Sequence, residues 1–171
     1  TAPLTDPYSD STIKSNWRSE LKSTLNTVIG LANYDIGHLL GANSINVSSG
    51  DAGCIGCVCS DFNKGAGYTC ANPINFSGDR FDIDFVAHEM GHQFGGYHVM
   101  NTCSRSGSGN TEVEPASGSS IMGYAGICSS NVQSNSDDDF NYVNVRDITA
   151  NIQTGNSTCA FQSPITNQPP T

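Results

Sequence analysis

The sequence predicts a single domain of the α+β class. Its 171 residues are enough to close one hydrophobic core without outside help. Apolar residues recur at helical spacing in a long segment near the start of the chain, and short strand-like segments follow it. Two further helix patterns lie in the second half, so helices and strands are expected together in one domain.

The first predicted helix starts after Asp10 or Ser11, either of which can cap it, and runs to about Ile29. Gly30 is predicted to end it. Its apolar residues are spaced by about four positions and form one stripe. They are Ile13, Trp17, Leu21, Leu25, Val28 and Ile29.

Three short strands are predicted next, over residues 34–40, 44–48 and 53–59. The third is small, apolar and rich in cysteine, which is typical of a strand near a sheet edge. Residues 60–80 are rich in turn formers and predict loops.

Residues 81–94 predict the second helix, because they contain no proline and no internal turn cluster. Gly95 and Gly96 are a strong signal for its end. A loop rich in Ser, Gly and Asn is predicted over residues 101–120. Acidic residues near the helix start suit the positive end of a helix dipole; they are Asp79, Asp82 and Asp84.

The third helix is predicted to start after Ser136, with residues 137–139, all Asp, in its first turn, and to end at Gly155. Residues 1–162 are therefore assigned to one domain. The proline-rich residues 163–171 are predicted to begin a linker or disordered tail.

Composition excludes two classes of partner. The chain has 16 acidic and 7 basic residues and a formal charge of −9. Phosphate recognition needs clustered cations, so no nucleic acid is expected, and an anionic membrane surface is disfavoured for the same reason. No apolar run approaches the roughly 18 residues of a membrane helix.

Seven cysteines predict an oxidising compartment, with at most three disulfides and one remaining thiol. The chain begins at Thr1, which predicts a mature, secreted, extracellular protein whose leader has been removed. The spacing of Cys54 and Cys57 is also a metal-ligand spacing. No second ligand pair follows it, so disulfides are favoured over a structural zinc.

The segment that carries chemistry is an eleven-residue histidine motif. On a helix, His88 and His92 project from one face and can meet one metal. The turn after Gly95 can return His98 as a third ligand, and three imidazoles leave a fourth position open, as in catalytic zinc sites. Glu89 lies beside the first ligand, close enough to reach a bound water. The motif reads His88-Glu89-Met90-Gly91-His92-Gln93-Phe94-Gly95-Gly96-Tyr97-His98.

This motif resembles that of the metzincin metallopeptidases, most of all the reprolysin (adamalysin-like) group in its bacterial secreted form. The resemblance implies a twisted, mostly parallel sheet packed on helices, with the zinc-site helix at the cleft. It also implies an irregular C-terminal subdomain that ends in a helix. More sheet and helix usually precede such a segment, so a short variant, a fragment and a complete domain all stay open.

A second motif supports the resemblance, at residues 119–124. In metzincins a methionine turn lies beneath the zinc histidines, which places Met122 there. A tyrosine in the position of Tyr124 approaches the zinc in astacins and serralysins, so Tyr124 is a candidate catalytic residue, although a half-buried structural role is an equal alternative. Val99, after the third histidine, matches no known subgroup, so the subgroup stays open.

The implied activity is that of a monomeric, secreted zinc endopeptidase, in which Glu89 activates the zinc-bound water that attacks a peptide or protein substrate. By resemblance, the substrate would lie along a sheet edge near residues 53–58. Two alternatives are an exported metzincin-fold binding module, against which Glu89 argues, and a zinc hydrolase of non-peptide amides.

The resemblance also implies the disulfides Cys59–Cys159 and Cys103–Cys128, which leaves Cys54 or Cys57 to pair with Cys70. It makes Asp35 a candidate calcium ligand. The acidic run 137–139 is a weaker calcium candidate, since a solvated helix start explains it as well. The fourth histidine, His38, is predicted to be structural and hydrogen-bonded.

Overall fold

A computed structural model describes residues 6–42, 48–71, 78–103, 110–161 and 163–164. The three described strands follow one another in the chain, with helices before and after them, so the α+β class is confirmed. The first half contains a 3₁₀ segment (Ser11–Asn16), α1 (Trp17–Val28), a 3₁₀ turn (Leu31–Asn33), β1 (His38–Ala42), β2 (Ser49–Asp51) and β3 (Gly67–Ala71). The second half contains α2 (Asp79–Phe81), a π-helical stretch (Asp82–Ala87), α3 (His88–Phe94) and α4 (Tyr142–Thr154).

The described sheet is mixed and has the order β1-β3-β2. β1 runs parallel to β3 with His38 opposite Gly67, and β2 runs antiparallel to β3 with Ser49 opposite Cys70. The central position of β3 explains why all five of its residues are buried. A larger, mostly parallel sheet stays a prediction.

One strand prediction and one loop prediction are wrong. Residues 53–59 form turns, because Gly53 and Gly56 have positive φ angles of 78° and 67° that a strand does not tolerate. The segment 60–80, predicted to be loops, contains the central strand β3. This strand is buried on both faces, so it lacks the alternation that marks a half-exposed strand. Of the predicted strand 44–48, residues 44–47 lie outside the described residues.

Helix α1 anchors the N-terminal half on the sheet. Trp17 and Leu21 are buried, and the Trp17 ring meets the Tyr68 ring of β3 edge to face at 5.5 Å. A Cβ on Gly41 would come within 2.5 Å of the Trp17 ring, so glycine makes room for the indole. The rest of the predicted apolar stripe is less buried, and Val28 is 72% exposed.

Helix α4 begins later than predicted. Its first residue is Tyr142, and the side chain of Asn141 caps it by accepting a hydrogen bond from the Val143 N–H. The acidic run 137–139 therefore precedes the helix and is exposed rather than forming its first turn. The end at Gly155 agrees with the prediction. No described helix has the length and hydropathy needed to cross a membrane.

Three disulfides join the described cysteines. Cys59–Cys159 and Cys103–Cys128 confirm the pairings implied by the resemblance. The third pairing was predicted wrongly, because Cys54 bonds to Cys57 and neither bonds to Cys70. Cys70 lies in the central strand with its sulfur 3.1 Å from the Ser49 hydroxyl, on the neighbouring strand β2.

Candidate metal centre

The helix that carries the histidine motif ends where the sequence predicts. Gly95 has a φ of 113°, the left-handed conformation that glycine adopts without steric cost. The Gly95 N–H donates to the His92 carbonyl and the Gly96 N–H to the Gly91 carbonyl, which satisfies two carbonyls at the end of α3. The chain then turns back sharply and brings His98 toward the helix.

The Nε2 atoms of His88, His92 and His98 converge on one point. The His98 Nε2 lies 3.2 Å from that of His88 and 3.0 Å from that of His92. Tetrahedral zinc with Zn–N bonds of about 2.0–2.1 Å requires N···N separations of about 3.3 Å, so this spacing is close to that of a zinc site. Among the described residues, these three form the one group that could hold a metal ion.

Backbone carbonyls fix the tautomer of two of these histidines, His88 and His92. His88 Nδ1 is 2.7 Å from the Ile121 carbonyl oxygen, and His92 Nδ1 is 2.7 Å from the Gly96 carbonyl oxygen. A carbonyl oxygen can only accept a hydrogen bond, so each Nδ1 must be the donor and carry the proton, and both Nε2 lone pairs face the shared point. The buried Nδ1 of His98 has no hydrogen-bond partner among the described residues.

Burial keeps the imidazoles neutral. It lowers the pKa of His88 well below its ordinary value, and the neighbouring histidines lower it further. It also lowers the pKa of His92, and together with His92 it lowers the pKa of His98 to about 4. Three neutral, buried nitrogen donors in this arrangement fit a divalent zinc ion.

The sequence profile of the M12B reprolysin-like metallopeptidases matches residues 1–152, most of the chain. The chain belongs to this family. Neither the curated proteins nor the solved structures contain a significant match to it. The reprolysin-like resemblance is thereby confirmed. The family is one of zinc-dependent peptidases, and the bacterial secreted type stays a prediction.

Glu89 of this reprolysin-like metallopeptidase points into the same cavity as the three histidines. The cavity has a volume of about 250 Å³ and is also lined by Tyr124 and by residues 50–55. Burial and, to a smaller extent, the negative charge of Asp51 raise the pKa of Glu89 to about 8. The backbone N–H of Ala52 has the opposite, smaller effect and lowers this pKa. The carboxyl thus lies in a partly dry site beside the histidine cluster.

The predicted methionine turn lies against the histidine helix. Met122 is fully buried, and a Cβ on Gly91, between the two helical histidines, would come within 2.6 Å of its sulfur. Val99 is also fully buried and donates its N–H to the Met122 carbonyl at 3.3 Å. The residue after the third histidine is therefore a packing residue of this turn.

Tyr124 lies beside the cluster, as predicted. Its ring centroid is 4.6 Å from that of His98 and 5.7 Å from that of His88. Burial raises the pKa of its hydroxyl, and the negative charge of Glu89 adds to this. The hydroxyl is accordingly a proton donor at neutral pH.

The structure adds a polar network behind α3 that the sequence did not reveal. Gln93 lies 2.8 Å from His38 through Oε1 and Nδ1, and its Nε2 donates to the Gly37 carbonyl at 3.1 Å. The other ring nitrogen of His38 contacts the Thr69 hydroxyl at 2.7 Å. This confirms the structural role of His38. The network joins the histidine helix to β1 and β3, and no local pattern indicates it.

Two asparagines of α4 hold the turn after α3. Asn144 donates to the Tyr97 carbonyl at 2.7 Å, and Asn151 donates to the Phe94 carbonyl at 2.8 Å. They are seven residues apart and so lie on one face of α4, which is the signal that could have identified them. Through them α4 supports the segment that returns His98.

Glu114 organises the methionine turn. One carboxylate oxygen accepts the N–H groups of Ser119 and Ser120 at 2.8 and 3.2 Å, and the other accepts the Asn141 amide at 2.8 Å. Burial would raise the pKa of Glu114, but these hydrogen bonds outweigh it and hold the pKa below its ordinary value.

Calcium finds no support in the structure. Asp35 and the run 137–139 belong to no group of three or more potential ligands among the described residues. The described residues therefore give no support for calcium at Asp35 or at residues 137–139.

The cleft edge also lies elsewhere than expected. Residues 53–58, implied to be the edge strand, form turns, and the sheet edge beside the cavity is β2 instead. Residues 49–53, here called the rim segment, comprise β2 and its exit turn. Four of the five line the cavity, which places them along the open side of the histidine cluster.

Proposed function

We propose that this protein is a secreted zinc endopeptidase that binds its metal through His88, His92 and His98 and uses Glu89 as general base. The convergence of three neutral imidazole nitrogens in a cavity shared with a buried carboxyl carries the proposal. Three disulfides fit an extracellular protein.

Each residue has a defined task in peptide hydrolysis. Zinc at the three Nε2 atoms would supply the Lewis acid that polarises the peptide carbonyl and acidifies water. The positive charge of a bound zinc ion would lower the pKa of Glu89 from about 8 and leave its carboxylate ionised. In that state Glu89 would accept the proton of the attacking water and pass it to the leaving amine. The Ile121 and Gly96 carbonyls hold His88 and His92 in the ligating tautomer throughout.

The substrate would be a peptide or protein segment in extended form. β2 is the outer strand of the described sheet, and its residues continue directly into the wall of the cavity. An extended peptide can add to such an edge through main-chain hydrogen bonds. This arrangement favours a peptide over a non-peptide amide, which has no backbone to pair with the edge. The buried Glu89 favours an enzyme over a binding module.

The decisive experiment is digestion of a denatured protein mixture, with the new termini read by mass spectrometry. We expect cleavage by the zinc-loaded protein, loss of cleavage with a chelator, and recovery after zinc is returned. Cleavage that persists after full metal removal would contradict a zinc peptidase. Hydrolysis of small amides without any cleavage of peptides would favour the non-peptide alternative.

Tyr124 is proposed to stabilise the oxygen that becomes negative as the water attacks. Tyr124 lines the cavity with its ring beside His98, its hydroxyl is neutral, and a single donor of this kind contributes about 10²–10³ in kcat. Tyr124→Phe removes only the hydroxyl. We expect kcat to fall by roughly 10- to 10³-fold with little change in KM.

The matched control is Tyr142→Phe, because Tyr142 is 75% exposed on α4 and does not line the cavity. It is expected to behave like the parent. An unchanged kcat in Tyr124→Phe together with a lower melting temperature would reduce Tyr124 to a structural residue.

A further inference from the structure

We propose that Arg18 is a positioning residue for the Glu89 carboxylate and acts through the rim segment. The proposal rests on the proposed function for its kinetic consequence, and on the contacts of Arg18 for its structural one. It assigns a role in the active site to Arg18 of α1, which lies 70 positions before His88 in the chain.

The rim segment sets the position of Glu89. The backbone of Gly50 lies directly on the Glu89 side chain, and a Cβ at position 50 would overlap its Cγ atom. Ala52 lines the same cavity as Glu89, and its backbone N–H acts to lower the pKa of the Glu89 carboxyl. A displacement of the rim segment would therefore release the steric constraint that Gly50 places on the Glu89 side chain.

The sheet alone holds the rim segment weakly. β2 has three residues and pairs with β3 on one side, and among the described residues no strand pairs with its other side. Short edge strands of this kind have few ladder hydrogen bonds to resist displacement. Support from outside the sheet is needed to keep the exit turn of β2 in place.

Arg18 supplies this support through two contacts. Its Nη1 lies 3.4 Å from Asp51 Oδ2, and its Nη2 donates to the Gly53 carbonyl at 2.5 Å. The other Asp51 oxygen accepts the Gly53 N–H at 2.7 Å. A planar guanidinium binds two acceptors in fixed relative positions, so Arg18 fixes both ends of the turn around Ala52.

The part of α1 that carries Arg18 is held firmly in place. Arg18 lies in α1 between Trp17 and Leu21, the two buried residues of that helix. One turn earlier, the Lys14 ammonium donates to the Ser49 hydroxyl at 2.6 Å and holds the start of β2. The Arg18 and Asp51 side chains are 42% and 41% exposed, so the pair adds little to global stability and its importance is geometric.

The test compares Arg18→Gln with the parent and with Arg146→Gln. Arg146 is a matched control, because it lies on α4, pairs with Asp147 at 2.7 Å, and loses the same charge. Arg18→Lys keeps the charge, but one ammonium cannot replace the two-nitrogen fork. Three quantities are measured on each zinc-treated protein: bound zinc, kcat and KM on a peptide, and amide hydrogen exchange of the rim segment.

We expect Arg18→Gln to bind one zinc per chain and to lose about 10- to 100-fold in kcat, the scale of a displaced catalytic group. Its rim segment should exchange at least about tenfold faster, while exchange in α4 stays unchanged. Arg146→Gln should match the parent, and Arg18→Lys should fall between the two. If the glutamine variant fails to fold, the lysine variant decides the question.

Parent-like rim exchange and kcat in Arg18→Gln would overturn the proposal. Equal losses in Arg146→Gln would also overturn it, since the cause would then be net charge. The exchange measurement does not depend on activity. A parent protein without zinc-dependent hydrolysis would therefore refute the proposed function and still leave the hold of Arg18 on the rim segment open to direct measurement.

Discussion

Glu89→Gln is expected to abolish nearly all peptidase activity while fold and zinc content are retained. Glutamine has almost the same shape as glutamate, but its amide cannot accept the proton of the attacking water. The loss of a general base costs about 10²–10⁴ in kcat. The proposed ligands His88 and His92 keep their backbone hydrogen bonds, so we expect zinc binding not to depend on the carboxylate.

Kinetics and metal analysis on the same preparation test this expectation. The matched control is Glu112→Gln, because Glu112 is an acidic residue outside the residues that line the cavity. The control should retain parent turnover. Near-normal turnover of a zinc-loaded Glu89→Gln protein would show that another group moves the proton, and the proposed mechanism would be wrong.

His98→Ala is expected to weaken zinc binding more than any change outside the cluster. The variant keeps the two helical ligands but loses the nitrogen that lies 3.0–3.2 Å from both of theirs. Loss even of a residue that only supports a ligand costs 10- to 100-fold in affinity, so we expect a loss of at least about 100-fold. Zinc should raise the melting temperature of the parent and not that of the variant at the same concentration.

A variant at the fourth histidine provides the comparison. His38→Gln also removes one imidazole, but His38 contacts Gln93 and Thr69 rather than the metal cluster. It should still bind one zinc per chain. If His98→Ala also retains one tightly bound zinc, the eleven-residue motif is not the metal site.

The histidine cluster could be predicted from the sequence because its geometry is local. Two histidines four apart on a helix must share a face, and Gly95 permits the left-handed turn after it. The third ligand follows three residues later, so little chain remains to place it elsewhere. The family membership follows from the same short segment and from the methionine turn, both of which are contiguous in the chain.

The sheet could be predicted only in part, because its strands break the local rules. The central strand β3 is buried on both faces and so shows no alternation of apolar and polar residues. The segment 53–59 has a strand-like composition, but two of its glycines have positive φ angles. The prediction of the third disulfide was wrong for a related reason. Those same turns bring Cys54 to Cys57, within three residues, instead of to Cys70.

By itself, the sequence identified the histidine cluster, the adjacent carboxyl and the family, all of which depend on spacings of a few residues. Only the tertiary structure decided what surrounds them. These contacts are the packing of Gly50 on Glu89, the hydrogen bond from Arg18 to the Gly53 carbonyl, and the hydrogen bond from Asn151 to the Phe94 carbonyl at the end of α3. These contacts join residues 35 to 57 positions apart. Such pairs meet only when the whole chain packs, since backbone periodicity relates residues within a few turns and carries no information on which distant segment will lie against them.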